Sequence, residues 1–201
     1  MTITTSPTTR RSWRVIDIVV AAVLAVAVGV IFVGWNFVGS AAGKLVDAVT
    51  PGLGGLMAGT WLLGGVLGGL VIRKPGAALA VETLAAVVSA LVGNEWGITT
   101  IYSGLAQGLG AELVFLLLGY RHWRLLAAML AGAGAGLGAW VLELALGNIA
   151  KSAAFNVVYL VCLLVSGAVL AGALGHWLTR ALAATGVLNR FASGRDGAAD
   201  V

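Results

Sequence analysis

The sequence is poor in charge, cysteine and proline. Only 10% of its 201 residues are Asp, Glu, Lys or Arg and 60% are hydrophobic, whereas about a quarter of the residues in soluble proteins are charged. Long apolar runs separate the few charges, which excludes an ordinary soluble domain. The single cysteine, Cys162, excludes an intramolecular disulfide and a thiolate metal site, and only three prolines interrupt the apolar runs. The chain is therefore predicted to be an all-α polytopic membrane protein.

Motifs for enzymatic chemistry and for nucleotide binding are also missing. The sequence has no Ser-His-Asp set, CxxC, HExxH or Walker motif, and its two histidines, His122 and His176, lie at the ends of separate apolar segments. We therefore predict no catalytic residue, cofactor or metal ion, and an enzyme is the least favoured interpretation. The basic residues lie at segment ends and not in one patch, so no nucleic-acid partner is predicted. Energy for active transport would have to come from a partner or an ion gradient.

Apolar segments of about 20 residues predict six membrane spans. They cover residues 15–35, 54–72, 76–92, 97–119, 123–146 and 154–182. The connections on one side contain most of the basic residues, namely Arg10, Arg11, Arg14, Arg73, Lys74, Arg121, Arg124, Arg180, Arg190 and Arg195, and the other side has Lys44 and Lys151. The positive-inside rule then predicts that both termini are cytoplasmic and that the protein lies in the cell membrane.

Three regions make up the predicted organisation. Residues 1–14 form a cytoplasmic N-terminal tail, residues 15–185 a six-helix membrane domain, and residues 186–201 a cytoplasmic C-terminal tail that is disordered from Gly194. The outer segment 37–53 has apolar residues at helical spacing, which predicts a short helix over the mouth of the bundle. That helix is either a lid or an interfacial connector.

Small residues recur at spacings of four in several spans. Ala21, Ala25 and Gly29 form such a face in the first span, and three glycine pairs repeat the spacing, Gly104 with Gly108, Gly132 with Gly136, and Gly134 with Gly138. These faces bring helices close together in a membrane. Most are predicted to pack within the chain, whereas the first-span face is predicted to contact another protein because terminal helices are commonly peripheral.

Three carboxylates, Glu82, Glu112 and Glu143, lie within the predicted spans. A carboxylate at membrane depth costs about 2.5 to 3.5 kcal/mol, so it usually faces a cavity and has a partner. Glu82 and Glu112 lie at similar depth and either form the floor of a polar pocket or only hold the bundle together. Gln107 joins the pocket candidates. Glu143 follows Trp140 by three residues, a pairing that suits a flat cation, although an interfacial role is the preferred interpretation for both residues.

Aromatic and amide side chains cluster in the outer half of the predicted bundle. They are Trp35, Asn36, Trp61, Asn94, Trp96, Asn156 and Tyr159. The cluster predicts an aromatic-lined pocket at the outer face, while each aromatic residue alone also fits a belt at the membrane surface.

Two strings in the sequence carry a family resemblance. Residues 72–79, IRKPGAAL, are followed by Glu82, and residues 107–112, QGLGAE, are followed by Phe115. With the shorter stretches 91–94 and 185–189, they resemble the YkoE-type substrate-binding (S) components of energy-coupling-factor (ECF) transporters. The resemblance covers most of the chain from the first span onward.

This resemblance implies a subunit that captures thiamine or its hydroxymethylpyrimidine precursor outside the cell. A transmembrane T component and two cytoplasmic ATPases would then drive release. It implies a substrate site that includes Glu82, Asn94, Gln107 and Glu112, with Trp61 as a stacking plane. Trp35, Trp96, Trp140, Glu143, Asn156 and Tyr159 are further candidates for substrate contact, and Ala21, Ala25 and Gly29 are the candidates for docking to the T component.

Two other interpretations stay open. One is a structural or assembly subunit whose buried acids only fix helix packing. The other is a cobalt or nickel uptake subunit, for which two histidines and one cysteine make poor ligands. One tension also stands, because Glu82 and Glu112 are predicted to lie in the inner half, whereas a pocket loaded from outside should lie nearer the outer face.

Overall fold

The computed structural model describes residues 12–199 and contains only helices and turns in that range. The helices are α1 (Val15–Val49), α2 (Leu63–Ile72), α3 (Ala77–Val92), α4 (Thr99–Leu117), α5 (Leu125–Leu146), α6 (Ala153–Ser166), α7 (Leu174–Ala184) and α8 (Ala192–Ala199). A 3-10 helix (Leu53–Leu62) leads into α2, a short one (Asn148–Ala150) precedes α6, and a π-helical segment (Gly167–Ala173) joins α6 to α7.

Length and hydropathy agree with the predicted membrane class. Five helical stretches of the described chain are long and apolar enough to cross a membrane, and α3 is a shorter apolar helix of 16 residues. The predicted all-α polytopic membrane protein is therefore confirmed.

Helix α1 is longer than predicted. The predicted span 15–35 and the predicted short helix 37–53 form one continuous helix, Val15–Val49, so the expectation of a separate helix over the bundle mouth is wrong. The physical reason is that no proline interrupts the apolar pattern before Pro51. A helix of 35 residues is about 52 Å long and exceeds the ~30 Å of membrane hydrocarbon. Any gating role of the C-terminal part of α1 stays a prediction.

The first turn of α1 is anchored by a buried carboxylate. The Asp17 side chain is 0% exposed, accepts a 2.7 Å hydrogen bond from the Arg14 backbone N–H, and pairs with the Arg14 guanidinium at 2.9 Å and with the Lys74 ammonium. The hydrogen bond to Asp17 raises the pKa of Arg14. These contacts fasten the start of α1 to the α2–α3 turn, where the Trp13 indole N–H also donates to the Pro75 carbonyl.

The alternating helices give the bundle two ends with different chemistry. One end, the arginine-rich end, contains Arg14, Arg73, Lys74, Arg121, Arg124 and Arg180, and the opposite end, the pocket end, contains Lys44 and Lys151. Arg10 and Arg11 lie outside the described residues. The same grouping of charges was predicted from the sequence, whereas the direction of each end in the cell belongs to the proposed function below.

Glycine lets α4 and α5 touch backbone to backbone. A methyl group on Gly110 would lie 2.1 Å from the Gly134 carbonyl oxygen, and one on Gly138 would lie 2.2 Å from that of Ala106. In the π-helical segment, the carbonyl oxygen of Gly167 would lie 2.1 Å from a methyl group on Gly132. None of these three contacts leaves room for a side chain, so these glycine faces pack within the chain, as predicted.

The small-residue face of the first helix is also internal. Ala21 and Ala25 are 3% and 2% exposed and pack in a cluster with Val81 of α3, and a methyl group on Gly29 would lie 2.6 Å from Cβ of Val88. The three residues therefore do not form the exposed surface that the predicted docking to a partner requires, because α3 covers them. Docking through this face stays a prediction that would require α3 to move away.

The C-terminal region is more ordered than predicted. Leu188 and Phe191 are each 3% exposed, and the buried Ser193 hydroxyl donates to the Val71 carbonyl at 2.9 Å. Helix α8 occupies Ala192–Ala199, so the expected disorder from Gly194 is wrong for residues 194–199. The reason is that Leu188 and Phe191 fill an apolar site formed with α1 and α2. Residues 200 and 201 lie outside the described chain.

Candidate functional site

A cavity of ≈ 510 Å³ opens among the helices at the pocket end. Its volume falls within the range of about 300 to 1,000 Å³ that small-molecule sites occupy. The lining comes from the C-terminal half of α1, the 3-10 helix, the C-terminal halves of α3 and α5, the first half of α4, the first turns of α6 and the connections between them. The lining residues used below are Phe32, Asn36, Asp47, Trp61, Ser89, Trp96, Thr99, Thr100, Ser103, Gln107, Glu143, Lys151, Phe155 and Tyr159.

Two tryptophans form an aromatic wall of the cavity. The rings of Trp61 and Trp96 meet edge to face with centroids 5.5 Å apart and an interplanar angle of 82°. The Trp61 indole N–H donates to Oδ1 of Asn36 at 2.8 Å, and Nδ2 of Asn36 donates to the Ser89 hydroxyl at 3.0 Å. The wall therefore offers an aromatic plane for stacking, held by polar contacts to α1 and α3.

Two carboxylates and a phenol form a second, acidic part of the lining, the acidic wall. The Glu143 carboxyl group lies beside the Tyr159 phenol, and Tyr159 stacks on Phe155 with ring centroids 5.5 Å apart. Asp47 also lines the cavity, and its Oδ1 accepts backbone N–H bonds from the turn that follows α1. Lys151 is the one cation among the lining residues and lies over the Phe155 ring at 4.1 Å. With two acids against one base, the cavity suits a cationic or a hydrogen-bonding ligand.

Helix α4 supplies neutral polar groups to the same cavity. Gln107 lines it together with Thr99, Thr100 and Ser103 from the first turns of α4. Amide and hydroxyl groups both donate and accept hydrogen bonds, so this surface can read the edge of a planar heterocycle.

The structure brings five of the predicted site residues together. Trp61, Gln107, Trp96, Glu143 and Tyr159 all line the cavity. Contact of these residues with a substrate stays a prediction. The other six candidates, Glu82, Asn94, Glu112, Trp35, Trp140 and Asn156, do not line it.

Glu112 caps a neighbouring helix. Its Oε2 accepts hydrogen bonds from the backbone N–H groups of Ala78 and Leu79 at 2.9 and 3.3 Å, and its Oε1 accepts from the Gly76 N–H at 2.7 Å and the Tyr120 hydroxyl at 2.6 Å. The first N–H groups of a helix have no partner within the helix, and a negative charge there is favourable. Glu112 therefore holds the start of α3 against α4 at the arginine-rich end.

Glu82 also binds the backbone at the start of a helix. Its side chain is 0% exposed, and its Oε2 accepts the N–H of Gly65, where the 3-10 helix changes into α2. Its Oε1 is buried with no hydrogen-bond partner among the described residues. The conflict between the depth of the two acids and an outer pocket is thereby removed, because both acids hold helix starts instead of lining the cavity.

The remaining candidates that do not line the cavity form hydrogen bonds to backbone groups at the pocket end. Oδ1 of Asn94 accepts hydrogen bonds from the N–H groups of Trp96 and Gly97, each at 2.9 Å, and shapes the α3–α4 loop. The Trp35 indole donates to the Met57 carbonyl at 2.8 Å. The Trp140 indole donates to the Asn156 carbonyl at 3.1 Å, and Nδ2 of Asn156 donates to that of Asn148 at 2.8 Å.

Several lining residues were missed by the sequence reasoning. Lys151 was interpreted only as a marker of topology, and Asp47 lies in the segment 37–53, for which only the apolar spacing was interpreted. Ser89 lies seven residues after Glu82, two helical turns along the same face of α3, which was a usable signal. No sequence feature distinguished Phe155.

An ion pair crosses the rim of the cavity next to Trp96. Glu95 accepts hydrogen bonds from the Ser40 hydroxyl and the Lys44 ammonium, each at 2.6 Å, and so joins the α3–α4 loop to the C-terminal part of α1. The hydrogen bond from Lys44 holds the pKa of Glu95 below its ordinary value. The glycines on both sides of this loop, Gly93 and Gly97, have positive φ angles of 101° and 55°, a backbone conformation that favours glycine over any residue with a side chain.

The comparisons with known proteins agree with this architecture. A family model described as "ABC-type cobalt transport system, permease component" matches residues 16–138. A Bacillus subtilis (strain 168) protein named "Putative HMP/thiamine permease protein YkoE" is 38% identical in an alignment of 192 residues that covers 92% of this chain and 92% of that protein. A solved structure described as "Crystal structure of an S-component of ECF transporter" superposes with a TM-score of 0.85 at 36% identity, covering 92% of this chain and 93% of that one. The chain therefore belongs to the YkoE-type family of ECF transporter S components, which are permease subunits and not enzymes.

Proposed function

We propose that this chain captures thiamine or hydroxymethylpyrimidine in the cavity at the pocket end. It crosses the cell membrane six times with both termini in the cytoplasm, and it delivers the ligand through a T component driven by two cytoplasmic ATPases. The observation that carries the proposal is one cavity that is lined both by the tryptophan pair and by Glu143 with Tyr159.

The chemistry of the two ligands matches the two walls. The aminopyrimidine ring presents donors and acceptors on its edge, which Gln107 and the α4 hydroxyls can pair with, and its face can stack on Trp61. The thiazolium ring of thiamine is positively charged, and it gains cation–π attraction from tryptophan and charge pairing from Glu143.

The distribution of charge supports the proposed orientation. Arg14, Arg73, Lys74, Arg121 and Arg124 lie at the end opposite the cavity. The positive-inside rule places that end in the cytoplasm, which directs the cavity outward, where the ligand arrives.

The family description that mentions cobalt makes Co²⁺ the second candidate ligand. Among residues 12–199, no group of three or more His, Cys, Asp or Glu side chains comes close enough to hold a metal ion. Cobalt sites are built from several such ligands. The large cavity with an aromatic wall favours the vitamin over the metal and over a purely structural subunit.

The direct test is a titration of the purified, detergent-solubilised protein with thiamine, hydroxymethylpyrimidine and CoCl₂, followed by tryptophan fluorescence and calorimetry. We expect saturable, submicromolar quenching by at least one of the two organic ligands. Trp61→Phe should lose much of the quenching amplitude, because this ring lines the cavity. Trp177→Phe, a matched control at a 60% exposed tryptophan far from the cavity, should keep it.

If neither thiamine nor hydroxymethylpyrimidine gave a signal in fluorescence or calorimetry, the vitamin assignment would be wrong. Saturation by CoCl₂ alone would instead support the metal candidate. Equal loss of quenching in the Trp61 and Trp177 variants would contradict the placement of the ligand.

The ion pair between Lys44 and Glu95 is expected to slow ligand exit. Lys44→Glu should raise the dissociation rate of the bound ligand by about 2- to 5-fold, as expected for an exposed pair worth up to ~1 kcal/mol. The double variant with Lys44→Glu and Glu95→Lys restores the pair with its charges exchanged and should recover the slow rate. Stopped-flow fluorescence measures both dissociation rates. A double variant that still releases the ligand fast would show that the ion pair does not slow ligand exit.

The contact between Lys44 and Glu95 also predicts how the rate of ligand dissociation changes with pH. Because the pKa of Glu95 is lowered, the contact is complete above the ordinary carboxyl pKa of 4.5 and is lost as the pH falls through the lowered value. Dissociation should therefore accelerate only in acid below pH 4.5, and the acceleration should be absent in Glu95→Gln.

A further inference from the structure

The position of Trp61 depends on contacts outside its own helix. Trp61 is the penultimate residue of the 3-10 helix Leu53–Leu62, and a 3-10 run of ten residues is unusually long for this weakly bonded geometry. The indole N–H can only donate a hydrogen bond, so a buried indole requires an acceptor. Oδ1 of Asn36 is that acceptor, at 2.8 Å.

Asn36 is itself held by α3. Its amide N–H₂ donates to the Ser89 hydroxyl at 3.0 Å, and Ser89 is 1% exposed. The orientation of the amide follows from chemistry, because only its oxygen can accept from Trp61. A chain of two hydrogen bonds thus runs from α3 through α1 to the aromatic wall.

A second contact fixes the same segment from the same face of α3. Glu82 lies seven residues before Ser89, two helical turns away, and its carboxyl group accepts the N–H of Gly65, just beyond Trp61. Segment 61–65 is therefore attached to α3 at two points, directly at Gly65 and through Asn36 at Trp61. Between them the backbone changes from 3-10 to α geometry at Leu62 and Leu63.

We propose that Ser89 and Asn36 are positioning residues that set the plane of Trp61, so that Ser89 affects ligand affinity through Trp61 and not by touching the ligand. This inference rests on the proposed function where it concerns affinity. The geometric part, that Ser89 holds Asn36 and Asn36 holds the Trp61 indole, is independent of any ligand.

The geometric part is tested by NMR of the detergent-solubilised full chain labelled with ¹⁵N-tryptophan. Trp61→Phe assigns the Trp61 indole resonance by its disappearance. Ser89→Ala should then shift that resonance and accelerate its hydrogen exchange. Ser193→Ala, a buried serine whose hydroxyl bonds to Val71 at the other end, is the matched control and should leave the resonance in place. An unchanged Trp61 resonance in Ser89→Ala overturns the proposal.

The functional part is tested by a double-mutant cycle on the thiamine dissociation constant. Ser89→Ala should weaken binding roughly 2- to 10-fold, as expected for the loss of one neutral hydrogen bond. In a Trp61→Phe background, which lacks the indole N–H, the same change should have little further effect. Equal losses in both backgrounds would show that Ser89 touches the ligand directly and would overturn the proposal. If the wild-type chain binds no thiamine, the proposed function fails, while the NMR result still decides the positioning role.

Discussion

Glu143→Gln is expected to weaken thiamine binding about 10- to 100-fold while changing the affinity for hydroxymethylpyrimidine far less. The reason is charge. Glu143 is a carboxylate on the acidic wall, beside Tyr159, in the cavity that Trp61 and Trp96 also line. The thiazolium ring is cationic and the pyrimidine alcohol is neutral, so only thiamine loses an ion pair when the acid becomes an amide of the same shape. Isothermal calorimetry with both ligands measures the two changes on one preparation.

Asp47→Asn is the matched control for this prediction. Asp47 also lines the cavity, but its Oδ1 is occupied by the backbone N–H groups of Gly52 and Gly54 at 3.0 and 2.7 Å. We therefore expect a smaller loss of thiamine affinity from Asp47→Asn than from Glu143→Gln. An equal loss for both ligands in Glu143→Gln would contradict charge pairing and would mean that Glu143 only shapes the cavity.

Glu112→Ala is expected to cause the largest loss of stability. The side chain is 8% exposed, and its removal leaves the backbone N–H groups at the start of α3 and the Tyr120 hydroxyl without their acceptor. Hydrogen bonds to a charged group contribute about 1.5 to 3 kcal/mol each, so a loss of at least ~3 kcal/mol is expected, equivalent to roughly 6 to 12 °C in Tm. Glu112→Gln keeps one acceptor oxygen and should fall between wild type and Glu112→Ala.

Thermal unfolding of the detergent-solubilised variants measures this effect. Glu95→Ala removes an exposed carboxylate and is the control, with little expected change in Tm. Below its unfolding temperature, Glu112→Ala should still bind thiamine, because Glu112 does not line the cavity. Loss of binding with an unchanged Tm would reverse the assignment and make Glu112 a ligand residue.

The apolar pattern of the sequence was sufficient to predict the membrane class but not the end of helix α1. The scarcity of charge and the long apolar runs predicted the all-α membrane class correctly. The extent of α1 was wrong, because hydropathy reports where a helix leaves the membrane and not where it ends. Helix α1 continues to Val49, since only Pro51 interrupts its backbone.

The spacing of small residues correctly predicted close contact between helices, but it did not predict which helix is the neighbour. The glycine faces predicted close helix packing, and the pair Gly110 and Gly134 shows it. The same spacing at Ala21, Ala25 and Gly29 was assigned to another protein, whereas α3 covers these residues. A small face has the same sequence pattern whether its neighbour is in the same chain or in a different one.

The sequence by itself determined that this chain lies in a membrane, that its charges separate to two ends, and that a few buried polar groups require partners. Only the tertiary structure decided which partner each group has. Glu82 and Glu112 bind backbone N–H groups at helix starts, whereas Glu143 reaches the cavity. The physical reason is that an apolar environment makes a buried carboxylate costly, and the apolar residues around it are visible in the sequence. The group that offsets this cost is set by the rotation and packing of neighbouring helices, which local sequence does not encode.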